Sequence, residues 1–503
     1  MHSGTAALLL SLLSYQFTIT SQSSWWLSDT ELFFEDPAEG ATIYNTLKDE
    51  YTRISFTAAK DNSISSYSRD LKYAAEFIVR PEAYRNPTSI TFSVLIHNID
   101  QNTEYTEGPS SYGEVDSFTW SHGSAYSFAN ETAVYYVASP GEHPIRISDS
   151  EDGNIMHETH HFTPVGEIID EYISAKEGVN FSPSDRYVAY FSSESSASDN
   201  STNEVIMTTY DRSEKYDYHY QMEYVKTGEE DHTIHYVYIW DVEMKAARLM
   251  NVQLRQQASA YYALTNSWVV IHGKELLLMV WANRWQNETT ITLCDYETAT
   301  CSRIYEHKYE RRQWASQADY ANIVYSNSSI FVILPLNKQD NAWQHITKIG
   351  ITTDYKLQSI SHVPSGEYDI RKIIAYRSED DTIVYEAQAP NPWNRLVYSA
   401  PAGENSMHQE DRCLTCSDYD CSYVVNGATV SPAKNLTISF WCSGAAPPHQ
   451  KMVIDNNGQD DEIRMISEPY THLNRTEWIM TSSNCQVVTR QLFEFMKAIP
   501  NRN

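Results

Sequence analysis

The sequence predicts an all-β protein built as a β-propeller of antiparallel four-stranded sheets. Three observations support this prediction: abundant aromatic residues, short strand-like runs and a recurring turn. The 503-residue chain contains 36 Tyr, 15 Phe and 12 Trp residues. Aromatic side chains favour the pleated, half-buried surface of a strand. Hydrophobic residues make up 41% of the chain, which is sufficient for an extensive core.

Strand-like runs recur along the chain, and long amphipathic helical patterns are scarce. The runs are rich in aromatic and β-branched residues and are bounded by Asn, Asp, Ser or Gly, as strands joined by turns are. We expect strands at residues 31–34, 186–191, 235–240, 275–281, 330–334 and 382–385.

A weak repeat joins strand-like runs through a turn that contains Ser. It occurs at residues 118–123, 179–185 and 428–434, with Ser-Pro in the second and third copies. Trp120 and Phe181 are 61 positions apart, and a period of this order is typical of four-stranded blades with long loops. The alternative is a series of ordinary β-sandwich domains, and the repeated turn favours the propeller.

The chain is strongly acidic. Lys and Arg number 37 against 66 Asp and Glu, which gives a net charge of −29 at neutral pH. This charge argues against nucleic acid as a partner, because phosphate binding requires a basic surface. It is compatible with a cationic ligand such as a peptide amino terminus, although a solvated acidic surface is the simpler explanation.

Both ends of the chain differ in composition from the rest. Residues 1–22 include the apolar run 6–13, which is too short to span a bilayer and resembles the core of a signal peptide. No Lys or Arg precedes this run, so an N-terminal strand is the alternative. We assign residues 23–483 to the propeller and residues 484–503 to an atypical tail with a helix-like pattern. No other stretch is apolar enough to serve as a membrane anchor.

Cysteines and glycosylation acceptors both indicate an oxidising, secretory compartment. Cys294 and Cys301 form one close pair, a cluster follows between Cys413 and Cys442, and Cys485 is left over. Such groups join adjacent strands in secreted proteins, whereas a zinc site built on Cys416 and its neighbours lacks a second close pair of ligands. Six Asn-x-Ser/Thr acceptors are predicted glycosylation sites: Asn130, Asn200, Asn287, Asn327, Asn435 and Asn474.

The sequence contains no complete catalytic or metal site. Residues 157–161 match H-E-x-x-H, but Gly153 and Pro164 flank them and no helical apolar stripe surrounds them, which indicates a surface loop. Neither a G-x-S-x-G nucleophile elbow nor a Gly-rich phosphate loop occurs in the chain. Cys485 has no identifiable His partner nearby. We therefore expect no cofactor, no bound metal and no catalytic residue.

Three segments resemble the N-terminal β-propeller of the dipeptidyl peptidase IV group in the prolyl oligopeptidase family. They are Trp-Leu-Ser-Asp-Thr-Glu at 26–31, Cys-Asp-Tyr at 294–296 with Cys301, and the four-cysteine block that ends in Cys-Ser-Gly at 442–444. The resemblance implies an eight-bladed propeller and the disulfides Cys294–Cys301, Cys413–Cys416 and Cys421–Cys442. In the family a C-terminal α/β-hydrolase domain supplies the catalytic Ser, Asp and His, and no such triad can be assigned in this chain.

The resemblance also implies a pocket for the amino terminus of a peptide. An acidic pair in the family aligns without gaps with Asp170 and Glu171, and a neighbouring Arg aligns with Arg85. The surroundings of the pair depart from the family's W-V-Y-E-E-E, since one carboxylate is shorter and the flanking aromatic residues are replaced. Two carboxylates hold an ammonium by charge-assisted hydrogen bonds, and the Arg holds a carbonyl or balances the charge. The family's Phe-Arg pair has no clear match at 318–319, after Trp314.

The leading interpretation is a secreted or lumenal, glycosylated, non-catalytic propeller that binds peptides or extracellular proteins, and a homodimer is compatible with the sequence. Two alternatives stay open. The chain is a truncated product or isoform of an active serine-type dipeptidyl aminopeptidase, or it is a protein-interaction scaffold without a peptide pocket. In the latter case Arg85, Asp170 and Glu171 are ordinary loop residues.

Overall fold

The computed structural model is all-β and describes most of the chain between Ser24 and Ile499. The predicted signal peptide, residues 1–22, lies outside the described residues. The described residues are 24–36, 40–54, 56, 64–79, 92–105, 108–113, 115, 117–130, 133–148, 179–194, 204–209, 218–223, 234–256, 261–310, 313–320, 322–338, 341–363, 366–403, 411–417, 421–433, 435–443, 449–456, 459–467, 477–484 and 492–499.

The chain divides into two compact units. Unit 1 comprises Met1–Ile54, Asn322–Gly350 and Ser359–Asn503, and unit 2 comprises Ser55–Ala321 and Ile351–Gln358. Eight small antiparallel sheets are the blades of an eight-bladed β-propeller, which confirms the predicted fold class.

Sheet 1 belongs to unit 1, and sheets 2 to 4 belong to unit 2. Sheet 1 consists of β1 (Ser24–Trp26), β2 (Glu31–Asp36), β3 (Gly40–Asn45) and β4 (Glu50–Arg53). Sheet 2 consists of β5 (Ile64–Tyr67), β6 (Tyr73–Val79), β7 (Phe92–Asn98) and β8 (Thr103–Tyr105), and a 3-10 helix (Pro109–Tyr112) follows it. Sheet 3 consists of β9 (Ser117–Trp120), β10 (Tyr126–Asn130), β11 (Ala133–Val137) and β12 (Ile145–Arg146).

Sheet 4 begins with β13 (Val179–Phe181) and β14 (Tyr187–Glu194). A separate hairpin of β15 (Glu204–Thr209) and β16 (Tyr218–Glu223) comes next, and β17 (Ile234–Asp241) and β18 (Ala246–Leu249) complete the sheet. Sheet 5, also in unit 2, consists of β19 (Asn251–Val252), β20 (Tyr261–Ile271), β21 (Lys274–Asn283), β22 (Glu288–Asp295) and β23 (Thr300–Lys308). Because β19 pairs in parallel with β23, this blade has five strands rather than the predicted four.

The short helix α1 (Gln317–Tyr320) leads to sheet 6, which consists of β24 (Val324–Ser326), β25 (Ser329–Lys338), β26 (Asn341–Ile351) and β27 (Leu357–His362). Sheet 7 consists of β28 (Ile370–Arg377), β29 (Thr382–Ala387), β30 (Leu396–Pro401) and β31 (Arg412–Cys413). Sheet 8 consists of β32 (Tyr423–Val430), β33 (Thr437–Ser443), β34 (His449–Asn456) and β35 (Gln459–Met465).

A final hairpin pairs β36 (Glu477–Asn484) with β37 (Leu492–Ile499) over eight residue pairs. The prediction of a helix-like tail is therefore wrong at these residues. Short apolar runs fit either a strand or a helix by periodicity alone, and here the antiparallel partner selects the strand.

Hydrophobic clusters join consecutive sheets within each unit. In unit 2 they join sheet 2 to sheet 3, sheet 3 to sheet 4 and sheet 4 to sheet 5. In unit 1 they join sheet 6 to sheet 7, sheet 7 to sheet 8 and sheet 8 to sheet 1. The run Leu276–Ala282 in β21 is buried at every position, because both faces of its sheet are covered. Each large apolar side chain buried in this way contributes about 1.5–3 kcal/mol.

All six strand-like runs named from the sequence overlap strands of the structure: β2, β14, β17, β21, β25 and β29. The repeated turn is also confirmed, since its three copies lie between β9 and β10, β13 and β14, and β32 and β33. Ser121, Ser182 and Ser431 are buried in these turns, and each donates its main-chain N–H to a carbonyl across the turn at 2.8–2.9 Å. Ser68 makes the same contact between β5 and β6.

In unit 2 these turns are bonded to one another. We call the turn between the first two antiparallel neighbours of a sheet, such as β5–β6 or β20–β21, its first turn. Asp70 in sheet 2 accepts a hydrogen bond of 2.6 Å from the Ser124 hydroxyl in sheet 3. Asp185 in sheet 4 accepts one of 2.9 Å from the main-chain N–H of His122 in sheet 3. Glu275, at the first turn of sheet 5, accepts one of 2.7 Å from the main-chain N–H of Ser184 in sheet 4. The first turns of sheets 2 to 5 therefore lie at one end of the unit.

Candidate functional site

The predicted pocket residues belong to two connecting segments that lie outside the described residues. Arg85 is between β6 and β7, and Asp170 and Glu171 are between β12 and β13. The grouping of these three side chains stays a prediction. The strands that flank both segments are described, and they define where each segment leaves and re-enters the sheets.

Both segments are attached to the same end of unit 2. β6 runs from the first turn of sheet 2 towards Val79, so the segment with Arg85 begins at the end opposite to the first turns. β13 begins at Val179 and runs towards the first turn of sheet 4, so the segment with Asp170 and Glu171 finishes at that opposite end too. We call this end of unit 2, where β6 stops and β13 starts, the connection end.

The turn between β21 and β22 also lies at the connection end and is held by a dense set of hydrogen bonds. The side-chain oxygen of Asn283 accepts from the main-chain N–H of Asn287 at 3.1 Å, and its side-chain nitrogen donates to Asn287 Oδ1 at 2.8 Å. Gln286 has φ +52°, a left-handed conformation that closes the turn. Two bonds tie this turn to the segment after β23: Ala315 N–H donates to Gln286 O at 2.6 Å, and Tyr309 N–H donates to Asn287 O at 2.8 Å.

A buried set of three hydroxyl groups packs beneath the surface of the segment that follows β23. Tyr320, on α1, is 2.8 Å from the Thr289 hydroxyl and 2.9 Å from the Tyr309 hydroxyl. Burial raises the pKa of both Tyr320 and Tyr309 well above the usual value, because a phenolate there has no water around it. Asp319, in the stretch where the family's Phe-Arg pair has no clear match, accepts a hydrogen bond of 3.3 Å from the main-chain N–H of Ser316. The hydroxyl groups of Tyr309 and Thr289 both lie within hydrogen-bond distance of the Tyr320 hydroxyl, so the set fixes the segment in place.

Two tryptophans next to this junction are exposed. Trp285 and Trp314 each have 66% of their surface exposed, although indoles are normally mostly buried. Trp285 precedes Gln286 and Trp314 precedes Ala315, and these two neighbours are bonded to each other. Trp285 is not among the residues predicted from the sequence. The pattern Trp-x-Asn-x-Thr at 285–289 places an aromatic residue two positions before a glycosylation acceptor and was available as a signal.

Among the residues of unit 1 that the structure describes, the most deeply buried ion pair joins Arg395 and Glu386. The Glu386 side chain is fully buried, and its Oε2 accepts from Arg395 Nε at 2.6 Å. Its Oε1 has no hydrogen-bond partner among the described residues. The Arg395 guanidinium also lies 5.7 Å from the centre of the Tyr423 ring, at the first strand of sheet 8. Because solvent does not reach the carboxylate, the pair stabilises the junction of sheets 7 and 8 and offers no open binding site.

The structure contains the three disulfides that the resemblance implied: Cys294–Cys301, Cys413–Cys416 and Cys421–Cys442. The first joins residues directly opposite each other on β22 and β23. The second closes the turn after β31, and the third ties the start of sheet 8 to β33. Structural disulfides of this kind are typical of non-cytoplasmic compartments. Cys485 lies outside the described residues.

Four of the six predicted glycosylation acceptors are described. Asn287, Asn327 and Asn435 are exposed and Asn130 is partly buried, whereas Asn200 and Asn474 lie outside the described residues. Exposure makes an acceptor compatible with a glycan, and occupancy at each site stays a prediction.

The H-E-x-x-H segment at 157–161 lies outside the described residues. Within the ranges that the structure describes, no three His, Cys, Asp or Glu side chains are grouped to hold a metal ion. The same ranges contain no helix with the length and apolar character needed to cross a membrane.

Comparisons with known proteins agree with the resemblance. Residues 68–448 match the family described as dipeptidyl peptidase IV (DPP IV) N-terminal region. Dipeptidyl peptidase family member 1 of Caenorhabditis elegans is 26% identical over 466 residues, which cover 87% of this chain and 56% of that protein. Prolyl endopeptidase FAP of Homo sapiens is 22% identical over 502 residues, which cover 94% of this chain and 62% of that protein. Inactive dipeptidyl peptidase 10 of Mus musculus is 26% identical over 201 residues, which cover 39% of this chain and 24% of that protein.

The fold is shared with a solved structure. The crystal structure of Porphyromonas gingivalis dipeptidyl peptidase 4 is similar with a TM-score of 0.65 and 12% sequence identity, over 96% of this chain and 65% of that chain. The chain spans about half the length of the curated relatives it matches. Because the family match covers most of its residues, the chain belongs to the dipeptidyl peptidase IV N-terminal region family.

Proposed function

We propose that this chain is an extracellular propeller that binds peptides by their free amino terminus at the connection end of unit 2. Asp170 and Glu171 hold the ammonium group, and Arg85 holds a peptide carbonyl or balances the two negative charges. The observation that carries the proposal is the placement of the flanking strands. Two segments that are about eighty positions apart in sequence attach to one end of one compact unit, as a shared pocket requires.

The chemistry of the three side chains suits this ligand. Charge-assisted hydrogen bonds from an ammonium to two carboxylates are short and strong, and they are strongest where water is excluded. The overall charge of −29 adds a long-range attraction for cationic peptides, which raises their association rate at low salt. The shorter side chain of Asp170 weakens the grip on the ammonium relative to a Glu-Glu pair, so affinity should depend mainly on Glu171.

The proposal includes secretion. Three disulfides and the extracellular character of related dipeptidyl peptidases support a non-cytoplasmic location. Partners are therefore peptides or extracellular proteins. A homodimer also belongs to the proposal, and light scattering of the purified chain measures its mass directly.

The test is calorimetric titration with pairs of peptides that differ only by acetylation of the amino terminus. Acetylation removes the charge, so the acetylated peptide should bind about ten- to a hundredfold more weakly, which corresponds to the loss of about 1.5–3 kcal/mol. The substitution Glu171→Gln should weaken binding of the free peptide by a similar factor.

The matched control is Glu229→Gln, in the polar run Gly-Glu-Glu-Asp at 228–231, which should leave binding unchanged. Equal affinity for free and acetylated peptides would contradict the proposal. So would absence of binding by either form at millimolar concentration, and that result would favour a protein-interaction scaffold without a pocket.

A second candidate function is the propeller portion of an active serine peptidase. It is favoured by the share of each relative that the chain covers, 56% and 62% in the two cases named above. The relatives include proteins named as peptidases and two named as inactive, so the presence of a propeller does not distinguish an active from an inactive protein. We expect the purified 503-residue chain not to cleave Xaa-Pro chromogenic substrates, because its sequence has no G-x-S-x-G elbow. Sequencing the full-length transcript past the codon for Asn484 tests the second candidate, and in-frame coding for a hydrolase elbow would select it.

A further inference from the structure

We propose that Asn287 carries an N-linked glycan whose first sugar rings pack against the exposed indole of Trp285. The inference rests on the secretory location included in the proposed function, and it is independent of the peptide pocket. The glycan would cover the indole of Trp285, which is otherwise open to solvent.

The acceptor is held in one orientation. The main-chain N–H of Asn287 donates to Asn283 Oδ1, its main-chain carbonyl accepts from Tyr309 N–H, and its Oδ1 accepts from Asn283 Nδ2. The remaining polar atom is Nδ2, to which a glycan is attached, and it makes no hydrogen bond with the described residues. The side chain as a whole is exposed. A sugar on this nitrogen therefore starts from a fixed position on the surface.

The aromatic surface lies within reach of that position. Trp285 is two residues before Asn287, so their Cα atoms are at most about 7 Å apart. Its indole is 66% exposed. One face of a sugar ring carries only C–H groups, and packing this face on an aromatic ring removes apolar surface of both partners from water.

The other described acceptors lack this arrangement. The aromatic residue two positions before Asn130 is Phe128, which is fully buried. Two positions before Asn327 is Tyr325, which is partly buried, and two positions before Asn435 is Ala433, which is not aromatic. Among the acceptors that the structure describes, Asn287 alone has an exposed aromatic ring two positions before it.

The third residue of the acceptor sequence sets the order of events. The Thr289 side chain is buried, and its hydroxyl lies 2.8 Å from the hydroxyl of Tyr320. Because glycosylation requires the hydroxyl-bearing third residue of the sequon, transfer must precede the docking of β22 against α1. The folded chain then presents the finished glycan beside Trp285.

The experiment uses the whole 503-residue chain, secreted from eukaryotic cells behind a heterologous leader. Peptide mass spectrometry measures the occupancy of each acceptor. Peptide:N-glycosidase is then applied to the native protein, and the release rate at each site is followed by the conversion of Asn to Asp. Packing worth about 1 kcal/mol protects the Asn287 glycan about fivefold. Trp285→Ala should therefore raise the release rate at Asn287 about fivefold, and Trp285→Phe should raise it less.

Asn435 is the matched control, since it is exposed and no aromatic residue lies two positions before it, and its release rate should be the same in all variants. Equal release rates at Asn287 in the wild type and Trp285→Ala would overturn the inference. If Asn287 is empty, the inference is overturned, whether or not the other acceptors are occupied. Because the heterologous leader imposes secretion, the secretory location is tested separately, by expressing the chain with its own residues 1–22 and measuring whether it is secreted. The peptide titration tests the pocket independently of both.

Discussion

Asp185, in the first turn of sheet 4, accepts hydrogen bonds from two consecutive main-chain N–H groups in the first turn of sheet 3, at His122 and Gly123. The distances are 2.9 Å to Oδ1 and 3.1 Å to Oδ2. The His122 ring nitrogen Nδ1 is 3.0 Å from the same Oδ1. One carboxylate therefore joins two blades of unit 2 that the hydrophobic core already brings face to face.

The substitution Asp185→Asn should lower the free energy of unfolding of unit 2 by about 1–2 kcal/mol. The amide of Asn keeps one oxygen, which can still accept from the main-chain N–H of His122. Its NH₂ group takes the place of the second oxygen and cannot accept from the main-chain N–H of Gly123. Asn is the appropriate replacement because Asp185 has φ +60°, a conformation that Asn tolerates and Ala does not. Urea unfolding at pH 7 measures the difference, and a change below about 0.3 kcal/mol would contradict the role assigned to this carboxylate.

The difference between the wild type and Asp185→Asn should depend on pH. Burial by itself raises the pKa of Asp185, but hydrogen bonds from the His122 side chain and main chain outweigh it and hold the pKa below its usual 3.8. As the pH falls, the unfolded chain therefore binds a proton at this position before the folded chain does. The stabilisation is fully present above about pH 4 and is lost as the pH falls below 3.8 and through the lower folded-state pKa. A difference that is constant from pH 7 to pH 3 would contradict this.

Much of the fold could be predicted because its signals are local. The turn copies around Ser121, Ser182 and Ser431 were visible in sequence, because each of these turns buries its Ser and therefore repeats that residue type. The order of the cysteines, together with the family resemblance, predicted the three disulfides. The tail was predicted wrongly because the strand Leu492–Ile499 is selected by pairing with Glu477–Asn484, and pairing is not visible in a single run.

The candidate site was harder to predict because it is assembled from connections between strands. Trp285 and Trp314 are 29 positions apart, and their neighbours are joined by a hydrogen bond from Ala315 to Gln286 that the sequence does not reveal. Glu386 was missed for a similar reason. A Glu in a strand is usually solvated, and the complete burial of Glu386 depends on Arg395, which lies immediately before the next strand.

Removal of Arg395 should be more damaging than removal of Glu386. Arg395→Met removes the cation that is hydrogen-bonded to a fully buried carboxylate and should cost about 3 kcal/mol of unfolding free energy. Glu386→Gln leaves Arg395, whose side chain is 28% exposed, in partial contact with water and should cost about 1 kcal/mol. The double variant should be more stable than Arg395→Met alone, since no buried charge remains.

Chemical denaturation of the four proteins in this cycle gives the coupling energy directly. The control is Arg371→Met in the same sheet, because Arg371 is 46% exposed and 3.8 Å from Asp369. An exposed pair of this kind contributes less than about 0.5 kcal/mol. A double variant less stable than Arg395→Met would show that the two side chains do not act as a pair.

The three disulfides should contribute unequally to stability. Their sequence separations are 21, 7 and 3 residues for Cys421–Cys442, Cys294–Cys301 and Cys413–Cys416. In the chain-entropy model, replacement of both cysteines by Ser should cost about 3, 2 and 1.5 kcal/mol in that order. Alkylation of the unreduced, denatured chain should add one label, at Cys485. Four or more labels by intact mass would contradict the disulfide pattern.

Alkaline pH should destabilise unit 2 through its buried tyrosines, and Tyr320 provides the sharpest case. Burial raises the pKa of Tyr320 well above 10, whereas the unfolded chain ionises near 10. Above that pH the unfolded state loses a proton that the folded state keeps, so the free energy of unfolding falls by about 1.4 kcal/mol per pH unit for this residue. Tyr309, whose pKa burial also raises, adds a similar dependence.

Tyr320→Phe should therefore have opposite effects at the two ends of the pH range. Near pH 8 it should cost about 1–2 kcal/mol, because it removes the hydrogen bonds to Thr289 and Tyr309. Between pH 10 and 12 the variant lacks one buried phenol, so its stability should fall less steeply than that of the wild type, and the two curves should converge about one pH unit above 10. Ile291→Val, buried in the same strand as Thr289, is the control: it should cost about 1 kcal/mol and leave the slope unchanged. Parallel curves for the wild type and Tyr320→Phe in urea unfolding at pH 8, 10, 11 and 11.5 would show that this hydroxyl is accessible to water in the folded chain.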